Sequence, residues 1–325
     1  MEQPSRLAPV SRAGIGTGKL FALCLAVTGM VCTLWQAVWA QQTPADVEPQ
    51  VFRYQFTPNS QHKYRMRAEM SGVLPLLGGM PVEKVLVEIT MALKVRNVRP
   101  DGNAEVSLDV EAFKAEMDGQ TLPLPLERLR TGMRDMVYVI NPQGEVVERK
   151  GTVQMPFNIP LPGVEPSQLP LMLFQLVFPR DAVTAGQEWT YNRPMTTTPG
   201  DAPAQFTARW AKDEAVSSVP ASLFTQKMRW NRAFKADIFD MPTTDPSVTV
   251  KQIDQTVSAE AQIWFNREQG RLVRANLTAQ YEQQTRLLNA SETGSAPAPV
   301  RLTAKIQILR EELAPRENET RPNGT

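Results

Sequence analysis

The side chains that carry most enzyme chemistry are scarce in this chain. Its one histidine, His62, stands between Gln61 and Lys63. A general base needs a partner to orient it and a metal site needs several ligands, and this local pattern supplies neither. His62 is therefore expected as a surface or strand-edge residue. Both cysteines, Cys24 and Cys32, fall in an apolar N-terminal run. No Gly-x-Ser-x-Gly elbow, phosphate-binding Gly-Lys loop or dinucleotide fingerprint occurs. Asp101, Asp109, Glu111, Glu116 and Asp118 have the residue type for acid–base work, but on the polar face and turns of a strand pair solvation accounts for them. Neither a cofactor nor a metal is expected.

Two other groups of residues suit binding. Trp210, Trp230 and Trp264 have the residue type for stacking on sugars; alternation places Trp210 on the apolar side of its strand, in the core, and leaves the other two open. Three stretches mix Leu with Pro: Val73 to Met80, Leu122 to Leu126, and Met155 to Pro162. Proline keeps them out of sheet interiors and helices, yet they are too apolar for ordinary solvated loops. They must cover something. Either they plug the ends of the protein's own core, or they rim an apolar cavity for a lipid-like ligand. On the second alternative the binding residues are Leu74, Leu76, Leu77, Met80, Leu124, Phe157, Ile159 and Leu161.

The elements that must position these residues are strands. Tyr64, Met66, Ala68 and Met70 alternate with charged neighbours, which is the period of a strand with one buried face. Val85 to Val95 repeats the pattern. After the Pro100-Asp101-Gly102-Asn103 turn, Ala104, Val106, Leu108, Val110 and Ala112 continue it as a long antiparallel hairpin. A second hairpin spans Tyr138 to Lys150. Ser167 to Val177 reads as a helix capped by Ser167. Further strands are read at Ala204 to Trp210, Phe224 to Trp230, Val248 to Phe265, Val273 to Tyr281 and Val300 to Ile308. The hairpin from Trp264 to Arg274 resembles the one from Val139 to Val147, because in each a strand runs into Asn, then Gly, then a second strand. That is read as a weak internal repeat. Lys94, Arg96, Arg271 and Arg274 are expected to face solvent.

Residues 1–40 carry Arg6, Arg12 and Lys19 before the apolar run Leu20 to Ala40, which ends Ala-Val-Trp-Ala. This is the pattern of a secretory signal peptide cleaved after Ala40, so the expected location is periplasmic or extracellular. The remaining 285 residues hold 32 basic and 33 acidic side chains. That balance gives no electrostatic reason for a nucleic-acid partner, and no second apolar span follows. The expected division is a linker at 41–50, an N-terminal β half at 51–177, a C-terminal β half at 178–313 and a disordered tail at 314–325.

Phe178-Pro179, Val183, Gly186 and Trp189 at mid-chain, with the Asp101-Gly102 turn between long strands, resemble the signature of a family of exported bacterial envelope proteins, a domain of unknown function. The resemblance implies no activity. Its long antiparallel sheets are similar to those of envelope lipid and lipoprotein carriers, a likeness of fold alone. The expected fold is all-β, mainly antiparallel, with long twisted strands in one or two open half-barrels and a short helix against the sheet. The expected function is a non-enzymatic envelope protein that binds an apolar ligand in the concavity. The alternatives are an assembly module that binds another envelope protein through sheet edges, and a hydrolase with an unfamiliar carboxylate pair.

Overall fold

The computed structural model describes residues 48–73, 81–123, 126–151, 176–196, 201–236, 251–288 and 299–314. The signal region and most of the linker lie outside these residues. So do Leu74, Leu76, Leu77, Met80, Leu124, Phe157, Ile159 and Leu161, residues 167–175 of the expected helix, the loop at 289–298 and the tail from 315. Leu176 and Val177, at the end of that expected helix, are not helical.

Period-two alternation produces twelve strands: β1 Gln61–Val73, β2 Pro81–Val98, β3 Ala104–Met117, β4 Gln120–Thr121, β5 Val137–Ile140, β6 Val146–Lys150, β7 Glu188–Arg193, β8 Ala204–Val216, β9 Val219–Ala236, β10 Lys251–Asn266, β11 Arg271–Leu287 and β12 Val300–Glu312. All belong to one open antiparallel sheet, ordered β6-β5-β3-β2-β1-β12-β11-β10-β9-β8-β7, with β4 appended to β3. From Glu48 onward the chain is one compact unit. The two stretches read from the sequence share its sheet through β1 and β12, which pair from Tyr64↔Glu312 to Gly72↔Ala304. The chain runs outward from this seam in the first stretch and back toward it in the second. The two similar hairpins therefore hold different places, β5–β6 at an edge and β10–β11 inside the sheet, and the topology gives no support to an internal repeat.

The alternation is interrupted where register shifts. Between Thr90 and Met91 of β2, strand β3 carries an extra residue, Glu111. A one-residue bulge moves every later side chain to the other face. Ala112, expected inward, is exposed, whereas Phe113 and Ala115 turn toward the core. A second bulge, between Trp264 and Phe265 opposite Leu272 and Arg274, turns Leu272 inward in place of Val273.

The one described helix, α1 (Leu126–Met133), begins directly after Pro125, a residue that suits a helix start. It buries Leu129 and Met133. Its Arg130 donates to the carbonyls of Val110 (2.7 Å) and Glu111 (3.1 Å), on a part of β3 that neither β4 nor β5 pairs. The helix thereby covers an otherwise open edge. The outermost strands are short, five residues in β6 and six in β7.

The sheet is strongly curled at the end that carries the β2–β3, β5–β6, β8–β9 and β10–β11 turns. Five strand spacings separate β5 from β11, or roughly 24 Å along a flat sheet. Yet the neighbouring residues Tyr54 and Gln55 donate their backbone N–H groups to Pro142 in the β5–β6 turn (2.7 Å) and Gly270 in the β10–β11 turn (3.0 Å). Adjacent Cα atoms are only about 3.8 Å apart, so the sheet must bend to bring these turns together. The concave face carries one hydrophobic cluster that runs from β5 to β8.

Candidate functional site

The concave face is best followed row by row across the strands. Near its middle, Met228 of β9, Ala259 of β10, Ala279 of β11, Ile306 of β12 and Met70 of β1 lie side by side. The next row toward the curled end is Gln226, Ala261, Leu277, Ile308 and Ala68. On the other side lie Trp230, Val257, Tyr281, Ala304 and Gly72. Small residues thus form a furrow over β10, β11, β12 and β1, with larger side chains beside it. Ala68, Ala259, Ala261, Ala279 and Ala304 are all buried.

At the curled end the furrow stops against aromatic rings. Residues 48–57 form a strap whose Gln50 exchanges both backbone hydrogen bonds with Val183, at 2.8 and 2.9 Å. Phe52 from this strap and Phe178 from the facing segment stack at 5.5 Å. Phe52 also meets Trp210, Phe224 and Phe265 edge-on at 5.1, 5.0 and 6.4 Å. The mid-chain motif belongs to this seat: Val183 bridges the strap, the Gly186 N–H donates to the Trp210 carbonyl (2.7 Å), and the Trp189 indole donates to the Val177 carbonyl (2.8 Å). Its residues pack the plug.

Beside the plug lies a charged corner. Arg310 is 1% exposed, with its guanidinium 5.1 Å from the centre of the Tyr64 ring. Burial pulls the guanidinium below its ordinary pKa and pushes the Tyr64 and Tyr54 phenols above theirs. Two residues along β12, a Glu312 carboxylate oxygen lies 3.0 Å from Arg271 Nε and 3.5 Å from His62 Nδ1. His62 Nδ1 is also 3.2 Å from Arg271 Nη1. His62, expected at the surface or at a strand edge, is half-buried and contacts Glu312 and Arg271, and Arg271, expected to face solvent, pairs with Glu312. Both line a cavity of about 20 Å³ under Tyr54 and Phe56, enough for a single water. No serine, threonine or cysteine is among the residues that line it, and the trio ties together the ends of β1, β11 and β12.

At the opposite end of the furrow the face turns polar. Arg232, Gln255 and Gln283 form one cross-strand row. Gln255 Nε2 donates to Tyr281 Oη (2.9 Å) and to Gln283 Oε1 (3.1 Å), and Tyr281 Oη donates to the same Gln283 oxygen (2.5 Å). Gln283 Nε2 donates to Thr285 at 3.3 Å. Arg232 Nε is 2.7 Å from Asp201, which accepts from Thr196 (2.6 Å). On the curled-end side of the furrow, Gln226 donates to the Tyr191 phenol, which burial pushes up to about 12.

The sequence-expected carboxylates are dispersed. Asp109 pairs with Lys94, Glu111 with Lys63 and Glu116 with Lys114, while Asp118 accepts the N–H groups of Glu83 and Lys84 and Asp101 that of Asn103. Asp213 and Glu214 line an open groove of about 350 Å³ by the β8–β9 turn. Asp213 accepts from Ser222 (2.6 Å) and Trp210 (3.2 Å), on the inner face. Glu214 accepts from Trp264 (2.6 Å), on the outer face. Their partners lie on opposite faces, so the two do not form a facing acid–base pair. Among the described residues, no group of three His, Cys, Asp or Glu is placed to hold a metal ion.

Of the tryptophans, Trp210 and Trp230 are core and Trp264 lies outside against Arg274, 5.7 Å from the guanidinium to the ring centre. Sequence reading missed the polar row and the charged corner. Only the glutamines at 255 and 283, which break two apolar alternations, signalled the row. Compared with protein families and with curated proteins, the chain matches no family model and no curated protein.

Proposed function

We propose that this chain is a non-enzymatic, exported envelope protein that holds an apolar, lipid-like molecule along the concave face of its sheet. The observation that carries the reading is the alanine furrow. Its side chains are small and buried, and it is bounded by an aromatic plug at one end and a polar row at the other. An elongated apolar groove with a few placed polar groups is the usual form of a lipid site. The signal pattern of residues 1–40 supports export.

The test starts with mass spectrometry of small molecules extracted from residues 41–325, purified without detergent from an exporting host. A stoichiometric apolar compound is expected. Ala279→Met then separates ligand from core. In a ligand groove it lowers occupancy and leaves the thermal midpoint of the empty protein nearly unchanged. In a filled core it overpacks, at about 1–3 kcal/mol, and no ligand is found. That second outcome would overturn the reading.

A further inference from the structure

His62 stands where the strap meets the sheet. The strap ends in a turn in which Ser60 donates to the Thr57 carbonyl (3.1 Å), and the Asn59 and Val95 N–H groups then tie the chain to β2 at 2.9 Å each. Two residues on, His62 meets Arg271, which directly follows Gly270, and the Gly270 carbonyl holds the strap through the Gln55 N–H. A guanidinium only donates, so the 3.2 Å contact from Arg271 Nη1 is a hydrogen bond only while His62 Nδ1 is unprotonated. It is also the one hydrogen bond that the Arg271 side chain makes among the described residues, since its Nε, although 3.0 Å from Glu312, is not aligned on the carboxylate.

A proton on Nδ1 reverses this contact. It sets N–H against N–H and cation against cation, while the Glu312 oxygen 3.5 Å from Nδ1 becomes the acceptor within reach. The surroundings add a further positive charge, the buried Arg310 guanidinium beside Tyr64, whereas burial keeps the Tyr54 and Tyr64 phenols neutral. Lys63, Lys94 and Glu311, on the outer face, pair with Glu111, Asp109 and Arg65. Arg53 of the strap donates to the Pro179 and Arg180 carbonyls, and Arg267 and Glu268 border the groove by the β8–β9 turn. Among the described residues, Glu312 is thus the one carboxylate that faces both His62 and Arg271.

We propose that His62 is a pH-sensitive latch: its protonation draws Glu312 from Arg271 to the imidazole, Arg271 swings off, and the strap lets go of Gly270, opening the cavity under Tyr54 and Phe56 at the curled end of the concave face. The sign follows from the contacts. The strap is held while the imidazole is neutral and is released as pH falls through the His62 titration. This holds whether or not the furrow carries a ligand.

The experiment uses the exported protein without a histidine tag, so that the one imidazole in the NMR spectrum is His62. Its midpoint is read by titration. Amide hydrogen exchange, with the intrinsic rate at each pH divided out, is followed for Gln55 and for Gln50, whose bonds to Val183 lie away from the corner. Gln55 is expected to lose roughly tenfold of its protection across the His62 midpoint, the worth of one charge-assisted hydrogen bond, while Gln50 keeps its own. In His62→Gln, whose amide oxygen accepts from Arg271 and does not titrate, Gln55 protection is expected to stay level over the same range. Unchanged Gln55 protection across the His62 midpoint in the unmutated protein overturns the latch, whatever the fate of the variant. A loss that begins only at the lower pH where carboxylates titrate overturns it too, as does an equal loss at Gln50, which would be general unfolding. A pH response that survives in folded His62→Gln also overturns it, and leaves the histidine a structural role alone.

Discussion

Two glycines at positive φ carry the contact between the strap and the sheet. Gly144 (φ 93°) closes the β5–β6 turn and Gly270 (φ 58°) the β10–β11 turn. A Cβ built on Gly144 would overlap the Tyr54 ring and the Leu176 carbonyl, and one on Gly270 would overlap the backbone and side chain of Gln55. The shared Asn-to-Gly pattern of these hairpins therefore has a physical cause: both turns must let the strap's backbone approach. Gly119 (φ 80°) offers a control, since nothing lies within 4 Å of its added Cβ. Gly119→Ala is expected to cost about 1–2 kcal/mol from conformation alone. Gly270→Ala should cost that and about 1–3 kcal/mol more for overpacking against Gln55. Urea unfolding of the two variants measures the difference. Equal losses would mean that the strap yields freely.

At the scale of elements, the short β5–β6 hairpin is held by charge. Strands of four and five residues are marginal alone. Across β5 and β6, Arg99 reaches Glu105 at 2.8 Å and Glu148 at 3.0 Å, and Lys150 reaches Glu105 at 2.9 Å. Arg99 foremost, with Lys150 beside it, holds the Glu105 carboxyl down to about 2. A carboxyl depressed on folding contributes stability that is fully present above its unfolded value and is lost as pH falls through the folded one. This tie therefore persists through mildly acidic solution and fades from the ordinary glutamate range down to about pH 2. An NMR titration of Glu105 is expected to show that low midpoint, and Lys150→Ala to raise it. A midpoint in the ordinary range in the unmutated protein would show that the ties do not persist in solution.

The same elements show what sequence could and could not reveal. Strands were legible because period-two burial is local: Tyr64 to Met70 and Ala204 to Trp210 bury every second residue. The helix α1 was hidden because its start follows Pro125 in a stretch whose Leu and Pro content read as cover. The bulge at Glu111 left no local mark, so Ala112 and Phe113 exchanged faces. The charged corner was illegible for another reason. His62, Arg271 and Glu312 meet only because β1, β11 and β12 adjoin in the sheet, and the polar row likewise needs the register of three strands.

For the whole molecule, the decisive contact joins the two ends of the described chain. Strand β1 has β2 on one side and β12 on the other, and the β12 side contributes nine residue pairs. Without β12 the first half would present a thirteen-residue strand as an open edge, an arrangement that native sheets avoid. The plug would be divided as well, because Phe52 comes from one half while Phe178, Trp210, Phe224 and Phe265 come from the other. Losing such a ring from a core costs about 3–5 kcal/mol by truncation data, a large part of a typical domain's stability. Neither half should then fold alone. Residues 41–177 and 178–325, expressed separately, are expected to show no cooperative unfolding by circular dichroism and to aggregate through the exposed seam. Co-expression should restore a single transition at which tryptophan fluorescence and circular dichroism coincide. Cooperative unfolding of either fragment alone would mean that its half of the concave face closes without the β1–β12 seam, and the furrow across that seam would then be an interface between two cores.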